Sequence, residues 1–362
     1  MLLLQCCCPL GTSRGTSAEP FLDGSDLDYL DDAAKDDVFR SAKRIKSLGR
    51  GSSGVVELFR VTVGPNSRVV VRKRCTYDNI DAVSKDRLYA EVRFLASLSH
   101  PNITAYLHCL VDSTAVSIFM EHAEGGTLAN AIQSRRGYAF ETNQAVRWLA
   151  QLTAALQHVH SHELLHRDLK TQNVFLSAAA GGAPWGNVRL GDFGVARALS
   201  TYTNFSQTLI GTPACMAPEA LASAPYSHPA DVWGLGVILF EVLTLRRPFG
   251  QGDGLRAVVS RISRGQYDAP ALESAPHPPG LKRLASHQGL LHPEPEERLR
   301  LDELVQELAT LGYADALVSV HPPNFSRAAE RDARVGESND PSFYPGAAAA
   351  QIAALLREPA DS

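Results

Sequence analysis

The feature that most limits the fold is a change of texture near Gly126. Before it, short β-branched runs recur: "VVELF" (55–59), "RVVVRK" (68–73) and "AVSIFM" (115–120), with turn residues such as "GPNS" (64–67) between them. One helical stretch interrupts these runs over residues 86–98, where Leu88, Glu91, Val92 and Leu95 share a face. After Gly126 the periodicity is helical. Val146, Leu149, Leu152, Leu156 and Val159 fall on one stripe of residues 142–161, and further helices are expected over 230–243, 255–264, 281–291 and 302–311. A β-rich part followed by a helical part predicts an α+β fold with two lobes and a cleft between them. We expect an N-lobe over about 42–120 and a C-lobe over about 124–311. Residues 1–41 read as an acidic disordered tail, and 312–362 as a second tail with a short helix in "GAAAAQIAALLREP".

Composition narrows the function classes. A net charge of -4 over 362 residues gives no basic footprint for nucleic acid. The six cysteines form neither a disulfide framework nor a zinc spacing, which favours a reducing, cytoplasmic setting. The apolar run at 232–245 is broken by Glu241 and is too short to span a bilayer, so it reads as a core helix. Adjacent Cys6, Cys7 and Cys8 raise the question of membrane attachment by S-acylation. With no polybasic patch, and with Leu2 where myristoylation needs glycine, an unmodified end is the reading adopted.

Chemistry concentrates in four segments. "LGRGSSGVV" (48–56) sets Gly49, Gly51 and Gly54 in G-x-G-x-x-G order, so that backbone N–H groups can approach a polyphosphate; a plain glycine-rich hairpin is the alternative. Strand residues follow it, which disfavours a Rossmann site. On the next strand Val71 and Lys73 share a face, with Val71 suited to a base ring and Lys73 to phosphates. Arg72 is the competing cation, and an inward-facing Glu91 favours Lys73 as its partner. "LLHRDLKTQNVFL" (164–176) then crowds His166, Arg167, Asp168, Lys170 and Asn173 together. "GDFGVAR" (191–197) supplies Asp192, and "IGTPACMAPEAL" (210–221) follows.

These segments, in this order, resemble the eukaryotic protein kinases over residues 43–311. "HRDLKTQN" resembles the Ser/Thr branch. With "LGDFGVAR", "IGTP" and "TLRRPF" (244–249), it is most similar to the NIMA-related kinases. The resemblance implies Mg-ATP as cofactor and protein hydroxyls as substrate. Asp168 would orient the acceptor and take its proton, while Lys170 would face the transferring phosphate. Lys73, fixed by Glu91, would hold the α- and β-phosphates, and Asn173 and Asp192 would hold Mg²⁺. Leu48, Val56, Val71, Met120 and the backbone of Glu121 and Ala123 would enclose the adenine. His166 would be structural, packing under Phe193. Arg167 would receive a phosphate on Thr208, with Ser206 the next acceptor, and Thr212 would lie in the substrate loop. Asp231 is assigned a structural role, and Glu219 with Arg298 a buried ion pair.

Departures accompany the match. Ser53 stands where the family has an aromatic, and Arg72 where it has an apolar residue. "PAC" (213–215) replaces "PYY", so peptide preference does not transfer, while Val195 leans toward threonine as acceptor. The surplus residues of 177–187 fit a lengthened hairpin tip away from the chemistry. The reading from another class is a catalytically inactive scaffold of the same fold; a small-molecule kinase is disfavoured by "GTPACMAPE". The resemblance further implies association with the cytoskeleton, cilium or basal body.

Overall fold

The computed structural model describes residues 27, 29–51, 54–76, 98–112, 114–178, 185–192, 213–222, 226–250, 254–318 and 320. A five-stranded antiparallel sheet forms the first lobe, in the order β1-β2-β3-β5-β4. Its strands are β1 (Lys43–Gly51), β2 (Gly54–Val63), β3 (Asn66–Thr76), β4 (Tyr106–Val111) and β5 (Ala115–Glu121). Register sorts the side chains into two faces. Val56, Lys73 and Ile118 align across one row, as do Leu58, Val71 and Met120. This face joins the main core, which continues into the helical lobe. The neighbouring row, Glu57, Arg72 and Phe119, points the other way.

That outer face is covered by a helix the sequence did not announce. α1 (Asp32–Arg40) starts on Asp31, whose carboxylate accepts the Ala34 N–H at 2.8 Å. Phe39, 2% exposed, packs 4.7 Å from Phe119 and stacks at 4.9 Å on His108. Asp36 accepts from His108 Nε2 at 2.7 Å. A small core of Leu27, Phe39, Phe59, Val61, Val70 and Phe119 results. The expected disordered tail is therefore corrected over Asp32–Arg40. Surface acids give this stretch the look of a solvated tail, while one buried aromatic and a capped N-terminus carry the docking.

The second lobe is helical: α2 (Leu128–Ser134), α3 (Thr142–Ser161), α4 (Pro218–Leu221), α5 (His228–Thr244), α6 (Leu255–Ser263), α7 (Ala269–Ser274), α8 (Pro279–Leu284), α9 (Leu301–Thr310) and α10 (Ala314–Val318). A two-stranded hairpin, β6 (Val174–Leu176) and β7 (Val188–Leu190), lies beside them. α5 is apolar on all sides and is buried almost throughout its length, the pattern of a central core helix. It packs on α3, whose observed span matches its periodicity.

Two expectations change here. The helix expected over 281–291 stops at Leu284. The Leu290 N–H bonds back to Leu284 O at 2.9 Å, which swings Leu290 and Leu291 into the core at 0% exposure. The domain also runs beyond 311, because α10 buries Leu317 at 1% exposure and contacts α3. The helix expected near the C-terminus lies outside the described residues, as does the helix of residues 86–98 apart from Leu98. At the long hairpin tip, Trp185 packs edge-on to Phe140 and Trp148, and Trp148 Nε1 donates to Gly186 O at 3.1 Å.

Candidate active site

The cleft between the lobes is assembled from strand ends and the segment after α3. Lys73 projects from β3 on the cleft face, 4% exposed, and forms an ion pair with Asp192. Arg72 points to the opposite face. It lies 4.2 Å above the Phe59 ring and pairs with Glu57, which Arg44 also contacts. Burial opposes ionisation of Glu57, but the hydrogen bonds and charges of Arg72 and Arg44 win and hold its carboxyl below the usual value. The two cations on one strand are thus separated by the two-residue period.

Asp192 is placed by β7. Thr104 N donates to Leu190 O at 2.8 Å and Leu190 N to Asn102 O at 2.7 Å, clamping the strand to the first lobe. Gly191 makes the close approach possible: a Cβ there would sit 2.7 Å from Thr104 Oγ1. Asp192 itself takes φ 60°, a costly conformation for a non-glycine residue.

The segment "HRDLKTQN" forms a network of its own. Asp168 Oδ2 accepts from Lys170 Nζ at 2.6 Å and Asn173 Nδ2 at 2.9 Å. Asn173 Nδ2 also donates to Asp168 O at 2.7 Å. Asp168 Oδ1 and Asn173 Oδ1 accept no hydrogen bond among the described residues. His166 is fully buried. Its Nε2 donates to Gly191 O at 3.1 Å, and Nδ1 accepts from the Asp168 N–H at 3.3 Å. Burial lowers its pKa, so a neutral ring with the proton on Nε2 satisfies both partners.

Asp231, 0% exposed near the start of α5, anchors this segment from below. Oδ2 accepts from His166 N and His160 Nε2, each at 2.9 Å; Oδ1 accepts from Arg167 N at 3.0 Å and Tyr226 Oη at 2.9 Å. Burial pushes its pKa up, but these donors outweigh it and the carboxyl stays below the usual range. His160 and Tyr226 were not singled out in the sequence, where His160 reads as one of several polar residues at a helix end. Glu219 and Arg298 meet at 2.8 and 3.1 Å, with the arginine side chain 1% exposed.

The residues expected to face a nucleotide take these places. Gly49, Gly51 and Gly54 edge the β1–β2 hairpin. Gly54 has φ 123°, and a Cβ on it would lie 2.3 Å from Arg74 O, so only glycine fits. Leu48 is exposed; Val56, Val71 and Met120 share the cleft face of the sheet. Glu121 N bonds to Ala105 O at 2.9 Å, whereas the Ala123 N–H has no partner among the described residues. Glu91, Ser206, Thr208 and Thr212, together with Ser53, Phe193 and Val195, lie outside the described residues.

The Gly191 N–H bonds to Asn173 O at 3.0 Å, which brings the Asp192 backbone beside Asn173, and a carboxylate and a carboxamide oxygen are hard donors of the kind Mg²⁺ takes. Beside them are a buried lysine and a carboxylate with one free oxygen. The model of the protein kinase domain matches residues 42–308. The chain belongs to the protein kinase family. Its relatives include the serine/threonine-protein kinase Nek5 of Homo sapiens, 34% identical over 239 residues (66% of this chain, 32% of Nek5). Nek2 of Mus musculus is 37% identical over 232 residues (62% of this chain, 50% of Nek2). Nek8 of Danio rerio is 34% identical over 263 residues (73% and 36%). This kinase chain therefore spans a third to a half of the length of these relatives. No described helix is long and apolar enough to cross a membrane.

Proposed function

We propose that the protein is an ATP-dependent Ser/Thr protein kinase of the NIMA-related type. The observation that carries this reading is the Lys73–Asp192 pair across the cleft, set beside the Asp168–Lys170–Asn173 network. When bound, ATP would supply the transferable phosphoryl group and Mg²⁺ would offset its charge. Lys73 holds the α- and β-phosphates. Asn173 Oδ1 and the Asp192 carboxylate would hold the metal. Lys170 and Asn173 fix Asp168 through Oδ2, leaving Oδ1 to orient a substrate hydroxyl and accept its proton. Lys170 faces the transferring group.

Arg167 supports a switch. It is exposed, its N–H is fixed by Asp231, and its guanidinium has no ion pair among the described residues. A phosphate on Thr208, or on Ser206, is the partner we assign to it. Phosphate transfer to a generic protein substrate should require Mg²⁺ and vanish in Asp192→Ala and Asp168→Ala. Nucleotide binding by the wild-type chain without any transfer would instead favour the scaffold reading. Thr208→Ala should lower turnover strongly; unchanged turnover with no phosphate on the loop would remove the switch.

A further inference from the structure

Beside the catalytic segment the C-lobe carries a groove of about 1030 Å³. Its walls come from four separate parts of the chain: α2 with its flanking turns, Thr171 and Gln172, the end of α5 with the turn after it (241–247), and α7 with its flanks (268–276). Thr171 and Gln172 directly follow Lys170, so the groove abuts the place where an acceptor hydroxyl would sit. The volume exceeds what a single side chain fills.

Its charges do not cancel. Arg136, Arg246 and Arg247 line it against Glu241 and Asp268. Asp268 is committed elsewhere: it caps α7 by accepting the Ala271 N–H at 3.1 Å and lies 4.0 Å from Arg246. Glu241, 9% exposed, accepts from Thr171 Oγ1 at 2.7 Å, and burial raises its pKa toward the neutral form despite Thr171 and Arg247. Arg136 and Arg247 are exposed and have no ion pair among the described residues. Asn130, Gln133 and Gln172 add carboxamides that can serve an extended peptide backbone as donors and acceptors.

We propose that this groove selects protein substrates carrying an anionic side chain, carboxylate or phosphate, close to the acceptor, with Arg136 and Arg247 as its receptors. The inference rests on the phosphotransfer reading above. The test uses the full chain and matched peptides. At each position around the acceptor, alanine is compared with glutamate and with phosphoserine. At one or more positions the anionic peptide should have about fivefold higher kcat/KM, the size of one solvent-facing ion pair. That ratio should fall toward one in Arg136→Ala and Arg247→Ala. In the wild-type chain it should also fall as salt is raised, a readout that needs no folded variant. A phosphoserine ratio above the glutamate ratio assigns the groove to already phosphorylated substrates; equal ratios assign it to acidic ones. A wild-type ratio near one at every position, or one that neither variant nor salt reduces, overturns the proposal while leaving the kinase reading intact. No transfer to any peptide overturns both.

Discussion

Replacing Asp231 by asparagine tests the link between burial and catalysis most directly. Each carboxylate oxygen serves one backbone N–H and one side-chain donor. In Asp231→Asn one of these oxygens becomes an NH₂ group. Tyr226 can turn its hydroxyl and His160 can exchange tautomers, but the backbone N–H of His166 or Arg167 cannot reverse. One buried donor is orphaned and the remaining bonds lose their charge assistance, which together should cost about 2–4 kcal/mol of stability. The freed peptide lies within two residues of Asp168, so the Asp168 carboxylate, assigned above to the substrate hydroxyl, should drift. A shift of about 1 Å lowers turnover about 10²-fold. Lys73 and Asp192 do not depend on that peptide directly, so nucleotide affinity should stay within about threefold. Tyr226→Phe removes one neutral donor, spares both backbone bonds and should cost about 1 kcal/mol. Steady-state kinetics, nucleotide titration and urea unfolding report all three quantities. Wild-type turnover in Asp231→Asn, or equal damage from Tyr226→Phe, would refute the reasoning.

Three further outcomes follow from the same geometry. Arg298→Ala leaves half-buried Glu219 without its cation, deprives the carbonyls of Pro229 and His292 of their donor and removes a cation 5.2 Å above Trp233; stability should fall by about 3–5 kcal/mol in urea titration. Lys73→Met should abolish phosphate transfer with little change in Tm, whereas Arg72→Met should retain transfer and lower Tm, because Arg72, unlike Lys73, pairs with Glu57 and covers the Phe59 ring. Burial and neighbouring His162 hold His158 at a pKa of about 4, below its ordinary 6.5. The unfolded chain therefore takes up the proton first as pH falls. Stability from this residue is complete above pH 6.5 and declines between 6.5 and about 4. His158→Phe should flatten that part of a Tm-against-pH curve.

Much of the site was legible because its chemistry is local in sequence. Asp168, Lys170 and Asn173 lie within one loop, and their hydrogen bonds close over two to five residues. The period of a strand was enough to set Val71 and Lys73 on one face and Arg72 on the other. Legibility failed where the partner was remote or the signal was a single side chain. Asp231 could be singled out, but its donor His160 lies 71 residues earlier in the chain, and Tyr226, only five residues before it, carries no signal beyond a single side chain. α1 has a polar composition, and its docking depends on Phe39 meeting a face formed by β2, β3 and β5. The groove beside Thr171 draws on four segments that sequence spacing does not relate. Helix α8 ended early because its apolar run continues through a backbone turn that periodicity alone cannot distinguish from a further helical turn.

The cap formed by α1 has a practical consequence for anyone trimming the chain to the family boundaries. A cut at residue 42 keeps every catalytic side chain yet strips Phe39 from Phe119 and leaves an oily strip along β2, β3 and β5 facing water. Such a shortened protein should self-associate in light scattering even while it still binds nucleotide, so poor behaviour of that fragment would say nothing against the enzyme.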